Sequence, residues 1–245
     1  MPRVYIGTSG WSYGHWVGPF YPPDVALGQW LGFYARQFKA VEINSTFYRL
    51  PSRETLETWR EQTRKDFVFA CKASRYITHM KKLKDPEDSV PRFLRTIEAL
   101  GDKLGPILFQ LPPRWRVNLE RLNGFLEALP ATHRYAFEFR DDTWFTTDVA
   151  DALRKHGAAM CIYDLDGRTS PVEATADFAY VRLHGPDGPY RGQYDERTLA
   201  GWVERFRGWL GEGRDVFCFF DNDEKGYAAQ DARRMCKMVD RTSTG

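Results

Sequence analysis

A chain of 245 residues is long enough to bury a large core without disulfides or metals, and has the size of one barrel or two small domains. It is 42% hydrophobic and 28% charged, as an ordinary globular protein is, and its formal net charge of +2 excludes the strongly basic field of many nucleic-acid binders. Cys71, Cys161, Cys218 and Cys236 contain no CxxC pair, which excludes a zinc ribbon or a thioredoxin-like motif.

Eight short apolar, β-branched or aromatic runs recur along the chain, each ended by polar, Gly or Pro residues. They are Val4 to Gly7, Ala40 to Ile43, Phe67 to Lys72, Pro106 to Leu111, Tyr135 to Arg140, Ala159 to Asp164, Ala179 to His184 and Val216 to Asp221. Helical spacing fills most of the gaps. Leu27, Trp30, Leu31, Tyr34 and Phe38 form one stripe, and Ser52 caps a helix carrying Leu56 and Trp59. Val90, Phe93, Leu94, Ile97 and Leu100 form another, and Asn118 caps the run from Leu119 to Leu129. Val149 and Leu153 lead to a stop at Gly157, and stripes at Leu199 to Leu210 and Ala228 to Val239 complete the set. The gap from Leu165 to Asp177 has no stripe, so the sixth helix is expected to be short or absent.

Strands alternating with helices mean a parallel sheet, and eight of them at this length predict a single (β/α)8 TIM-type barrel. An open doubly wound sheet is disfavoured because no GxGxxG follows the first strand. The barrel is expected over residues 1–240, with a disordered tail at 241–245. No signal peptide and no run long enough to span a membrane are found, so a cytoplasmic location and no membrane partner are expected.

Alternation along the strands places the charged residues. The outward face of a barrel lies under helices and must be apolar, so Phe137 and Phe139 face out while Glu138 and Arg140 face in. The same parity turns Glu42, Asn44, Lys72, Gln110, Arg182 and His184 inward. Asp164 ends the sixth strand, and Asp221 and Asn222 end the eighth. These positions fall late in their strands, where barrels of this type build their active sites. An alternative is a self-satisfied ion-pair lattice in which Glu42, Glu138 and Asp164 neutralise Lys72, Arg140 and Arg182.

Several segments resemble the YecE-like family, whose domain is catalogued as domain of unknown function 72. They are Gly7-Thr8-Ser9-Gly10-Trp11 with Trp16, Val41 through Tyr48, and Lys72 with Arg75 and Ile77-Thr78-His79. Gln110-Leu111-Pro112-Pro113, Phe137-Glu138-Phe139-Arg140 with Trp144, Arg182-Leu183-His184-Gly185 and Phe220-Asp221-Asn222-Asp223 continue the match. The resemblance implies a TIM-type barrel. It also implies a fold similar to metal-dependent barrels that cut nucleic acid at abasic sites, which is analogy of fold. The family usually reads Asn-Asn-Asp where this chain has Asp221-Asn222-Asp223.

Three readings of the cluster follow. The favoured one is a pocket that binds or processes a small anionic ligand, phosphorylated or derived from nucleic acid. Lys72, Arg140, Arg182 and His184 would hold the anion, and Glu42 and Glu138 would act as acid and base. The loop from His184 to Gly192 and the helix opened by Gly226 would add backbone amides. Trp11, Asn44, Tyr48, Gln110, Trp144, Asp164, Asp221 and Asn222 complete the candidate ligand-binding set, with the tryptophans either stacking on ligand or covering the barrel as core. The second reading is a non-catalytic module for single-stranded nucleic acid. The third is a carbohydrate-active hydrolase with Glu42 and Glu138 as its carboxylate pair. Five histidines, with only His184 at a strand's C-terminal end, argue against a multi-zinc site. No resident cofactor is expected, although Glu42, Glu138 or Asp164 could hold a transient Mg²⁺. A Schiff-base role for Lys72 is open, on the condition that its amine is destabilised as an ammonium rather than paired to carboxylates.

Overall fold

All eight apolar runs form strands, and they lie parallel around a nearly closed ring. The computed structural model describes residues 1–242. The strands of the ring are β1 Val4–Thr8, β2 Ala40–Ile43, β3 Val68–Lys72, β4 Leu104–Gln110, β5 Tyr135–Glu138 and β6 Ala159–Leu165, then β8 Phe178–Leu183 and β9 Asp215–Phe220. A two-residue strand, β7 Arg168–Thr169, folds back antiparallel on β6. The order around the ring is β1-β9-β8-β6-β5-β4-β3-β2. This is a TIM-type α/β barrel.

The seam between β1 and β2 is the least paired joint. One parallel bridge, Ser9 to Glu42, spans it, and the Gly10 amide donates to the Glu42 carbonyl at 2.8 Å. Close approach here requires Gly7, because a Cβ at that position would stand 2.0 Å from the Ala40 carbonyl oxygen. The Tyr34 hydroxyl stitches the same seam, accepting from the Thr8 amide at 2.8 Å and donating to the Ala40 carbonyl at 3.1 Å.

The helices that cover the ring are α1 Trp30–Gln37, the single turn α2 Ser45–Tyr48, α3 Arg53–Glu61, α4 Pro86–Ile97, α5 Leu119–Glu127, α6 Thr147–Lys155, α7 Glu196–Gly211 and α8 Tyr227–Thr242. Their starts follow the caps in the sequence: Ser52 accepts from the Thr55 amide and Asn118 from the Arg121 amide. Among the described residues no helix lies between β6 and β8, where the chain lacks an apolar stripe and forms β7 and an extended loop instead. None of these helices is long and apolar enough to cross a membrane. Of the tail expected from 241 onward, residues 243–245 lie outside the described residues.

Two apolar layers result. The outer one lies between strands and helices, and it absorbs most of the aromatic residues, including Trp16, Tyr21 and Trp144 with no exposed surface. The inner one fills the barrel asymmetrically. Ala40, Ala70, Ala136 and Ala159 leave room on β2, β3, β5 and β6, and Phe178, Tyr180, Phe217 and Phe219 from β8 and β9 occupy it. Above this plug, toward the C-terminal ends of the strands, the inward positions turn polar.

Candidate ligand site at the barrel mouth

Arg182 stands at the centre of the polar layer with its side chain 1% exposed. Its guanidinium donates to Glu42 at 2.7 Å, Glu138 at 2.8 Å and Asp221 at 3.1 Å, and reaches the Ser9 hydroxyl at 3.1 Å. The planar fork has five N–H donors, so one arginine can hold three carboxylates that would otherwise repel. Burial alone would lower the arginine's pKa, but Glu42, Glu138 and Asp221 outweigh it and raise it well above the ordinary value.

All three carboxylates are ion-paired, although Glu138 Oε1, Arg140 Nε and Arg182 Nε make no well-aligned hydrogen bond. Glu42 also accepts from Ser9 and, at 2.7 Å, from the Tyr180 hydroxyl. Glu138 is ion-paired to Arg140 as well. Burial would raise its carboxyl, yet Arg140 and then Arg182 hold it well below the usual carboxylate range. Burial likewise opposes ionisation of Asp221, and Arg182 and His184 reverse the effect. His184 is fully buried. Its Nε2 lies 2.8 Å from an Arg140 nitrogen and 3.4 Å from an Arg182 nitrogen, neither of which can accept a hydrogen bond. Nε2 therefore carries the lone pair, and Nδ1 donates its proton to Asp221 at 3.1 Å. Arg140 completes this side, with its guanidinium 4.8 Å from the centre of the Tyr163 ring.

Across the mouth, on β2 to β4, the pattern reverses. Lys72 sits at the end of β3 and makes no ion pair or hydrogen bond through its ammonium among the described residues. Its Nζ rests 4.6 Å from the centre of the Phe47 ring. Burial, together with repulsion from Arg182, lowers its pKa despite attraction from Glu138, Glu42 and Asp221. Asn44 and Gln110, at the ends of the flanking strands, make no side-chain hydrogen bond among the described residues, and the Asn44 Oδ1 is buried without a partner.

The segment after β3 bends toward this strip. Tyr76–Met80 is a π-helical turn, closed by the Lys81 amide donating to the Tyr76 carbonyl at 2.8 Å. Lys82, Leu83 and Asp85 follow in the left-handed region. The turn sets His79 edge-on to Phe47, at 5.0 Å between ring centres. His79 Nδ1 is engaged by the Thr78 hydroxyl at 2.9 Å. Partial burial and then Lys72 and Arg75 push the His79 pKa down, so it is neutral at pH 7.

Thus Glu42, Glu138, Arg140, Arg182, His184 and Asp221 converge on the mouth, Lys72 lies within electrostatic reach of them, and Asn44 and Gln110 stand at the ends of the flanking strands. Several other candidates do not. Asp164 has outward parity and anchors the loop after β8, accepting from Tyr194 at 2.9 Å and from Thr169 at 3.1 Å. Asn222 donates to the Gly192 carbonyl at 2.9 Å and to Asp231 at 2.8 Å, tying the same loop to α8. Trp144 is buried flat on Phe139, with its indole N–H held by the Trp115 carbonyl. Trp11 packs edge-on against Trp59 of α3. Both rings are packed against aromatic neighbours, with Trp144 fully buried and Trp11 8% exposed. Tyr48 is 73% exposed on the rim.

The loop from His184 to Gly192 is no amide cradle for a phosphate. Its amides at Gly185, Asp187, Tyr190 and Arg191 donate to the Tyr194 hydroxyl and to the carbonyls of Arg191, His184 and Gly188. The N-terminus of α8 is covered, since Gly226 lies under Trp16 and Pro19. The carboxylate oxygens of Glu42, Glu138 and Asp164 are committed to arginines and hydroxyls, so they do not form a Mg²⁺ set. Glu42 and Glu138 cannot serve as a hydrolytic acid and base while Arg182 clamps both, and the paired-carboxylate hydrolase is set aside.

Ser9, Tyr163, Tyr180 and His79 belong to the mouth and were missing from the candidate set. Tyr163 and Tyr180 were within reach of parity, as inward neighbours of Cys161 and Arg182, but their aromatic character hid them among core residues.

Fold and mouth together define a TIM-type barrel whose C-terminal face carries a buried cluster of charged side chains. The chain belongs to the DUF72 family: the family model described as "Protein of unknown function DUF72" matches residues 5–245. The solved structure of a DUF72 family protein from Thermotoga maritima is similar, with a TM-score of 0.87 and 31% identity, covering 97% of this chain and 99% of that one. The UPF0759 protein YecE of Escherichia coli O157:H7 is 37% identical over 178 residues, 70% of this chain. That match spans only 61% of YecE's own length. The UPF0759 protein YunF of Bacillus subtilis strain 168 is 25% identical, over 97% of this chain and 95% of its own length.

Proposed function

We propose that the barrel binds and processes a small anionic ligand at its mouth, seated on the strip formed by Asn44, Lys72 and Gln110. The observation that carries this reading is the ammonium of Lys72, which no carboxylate pairs among the described residues at the barrel mouth. Buried polar groups are almost always satisfied, and those left open at the C-terminal face of a barrel are where a ligand supplies the missing partner. Arg140, at the edge of the saturated side, is placed to add a second cationic contact. Titration calorimetry with inorganic phosphate, sugar phosphates, 2-oxo acids and nucleotides tests the reading. At least one anion should bind, and Lys72→Met should weaken it by about tenfold or more, the loss of roughly 1.4 kcal/mol. Failure of every anion to bind would overturn it.

A second reading is supported by the rim. The loops after β2, β3 and β4 carry exposed Arg49, Arg75, Lys82, Lys84, Arg114 and Arg116, with Asp85 as their one acidic residue and already paired to Lys81. Tyr48 and Tyr76 are exposed among them. Cations interleaved with aromatic faces suit a single-stranded nucleic acid. Fluorescence anisotropy with a short oligonucleotide should then show affinity that falls steeply with salt and drops in Lys82→Ala/Lys84→Ala. Affinity unchanged by salt would remove this reading.

A further inference from the structure

We propose that Lys72 acts as an amine nucleophile that forms an imine with a small aldehyde or ketone bearing a carboxylate or phosphate. This inference rests on the anion-binding reading of the same strip and names its substrate class. Four features of the geometry support it. The amine sits at the C-terminal end of a barrel strand, partly open to solvent, with no carboxylate within ion-pair distance among the described residues. It rests over the ring face of Phe47, a contact that fixes where the amine stands at the mouth. Asn44 and Gln110, at the ends of the flanking strands, have amide N–H groups with no hydrogen bond among the described residues, suited to hold a carbonyl oxygen as it becomes a hydroxyl. His79 shares the Phe47 ring with Lys72 and has its Nδ1 committed to Thr78, leaving Nε2 as the proton carrier.

The groups around Lys72 act in opposite directions, and those that disfavour its charged form prevail. Burial and Arg182 disfavour its charged form, and the attraction of Glu42, Glu138 and Asp221 is largely spent on Arg182 and Arg140. Each unit of lowering raises the fraction of free amine at neutral pH roughly tenfold. The lattice around Arg182 therefore holds the cation that keeps Lys72 reactive, and it neutralises the carboxylates that would otherwise quench it.

The step balances without a further reagent. His79 or water takes one proton from the ammonium, and the free amine attacks the carbonyl carbon. The attacking nitrogen passes a proton to the carbonyl oxygen, directly or through water, to give a neutral carbinolamine. The proton first taken by His79 or water returns to the hydroxyl, and the C–O bond breaks as the nitrogen lone pair forms the C=N bond. The oxygen departs as water, leaving a protonated imine. In net terms one ammonium and one carbonyl give one iminium and one water.

The experiment uses the whole protein with sodium cyanoborohydride as trap and three separate probes: pyruvate, glyoxylate and dihydroxyacetone phosphate. Peptide mapping by mass spectrometry should find the reduced adduct on Lys72, formed at pH 7 at least about tenfold faster than on the exposed Lys82 and Lys84. Which probe labels faster identifies the anion as carboxylate or phosphate. His79→Gln should slow labelling of Lys72 while leaving Lys82 and Lys84 unchanged. Labelling of Lys72 no faster than of Lys82 would overturn the inference. Calorimetry on the same preparations separates the two claims: anions that bind without trapping defeat only the imine, whereas no binding defeats the underlying reading too.

Discussion

The two sides of the barrel mouth use the same kinds of residue to opposite ends. On β5, β8 and β9, Glu138, Arg140, Arg182, His184 and Asp221 satisfy one another, and Glu42 joins them across the seam. On β2 to β4, Asn44, Lys72 and Gln110 make no ion pair or hydrogen bond through their side chains among the described residues, and Lys72 rests on Phe47. Charge alone does not mark a binding site. A buried carboxylate clamped by a buried arginine has lost the capacity to do chemistry on a ligand, while an unpaired lysine beside an unpaired amide keeps it. Protein sites commonly give up stability in this way, keeping strained or unsatisfied groups for function. The left-handed Lys82, Leu83 and Asp85 beside the open strip fit that pattern.

The contrast is tested most severely at Arg182. Replacing it by Met leaves three buried carboxylates without their cation, and should cost about 3–5 kcal/mol of unfolding free energy in urea denaturation. A loss below about 1 kcal/mol would mean that the saturated side is not a stabilising lattice. Acid provides a second test of the same side. Glu138 and Asp221 have folded pKa values below those of the unfolded chain, about 4. Their contribution is therefore complete above that range and is lost as pH falls through the folded values. Urea midpoints should fall between pH 5 and pH 3 in the parent protein, and fall less in Arg182→Met, which removes the main cause of the Asp221 shift and, after Arg140, the second cause of the Glu138 shift.

An intermediate effect is expected at Tyr194. Its hydroxyl donates to Asp164 and accepts from the Gly185 amide, holding the loop that carries Tyr190 over His184. Tyr194→Phe leaves both groups short of a partner, and should cost about 1–2 kcal/mol by chemical denaturation.

The smallest stability change is expected on the open side. Lys72→Met replaces a poorly solvated ammonium by an apolar chain of similar length, and its stability should stay within about 0.5 kcal/mol of the parent or rise. Tyr48→Ala, on the exposed rim, should fall within the same limit by thermal denaturation. A loss of several kcal/mol at Lys72 would place it with the lattice and erase the distinction between the two sides.

Much of this molecule is legible in the chain, and for definite reasons. Each barrel strand has an apolar outer face under helices, so Val41-Glu42-Ile43-Asn44 and Phe137-Glu138-Phe139-Arg140 show by alternation which residues point inward. The caps at Ser52 and Asn118 act through local hydrogen bonds, and both helices start where those residues stand. Parity gives no guidance where a strand is apolar on both faces. Ala159 to Tyr163 is such a run, which is why Asp164 was read as a site residue although it follows the outward row of Met160 and Ile162.

The sequence by itself determined the barrel, its eight strands, the missing sixth helix and the inward ring of charge, because these depend on periodicity and on caps acting over a few residues. Only the tertiary structure decided which charges cancel. That choice is set by distances between residues far apart in the chain, such as the 2.7 Å from Arg182 to Glu42, and no local pattern encodes it. One guanidinium reaching three carboxylates is what leaves Lys72 as the unpaired amine of the mouth.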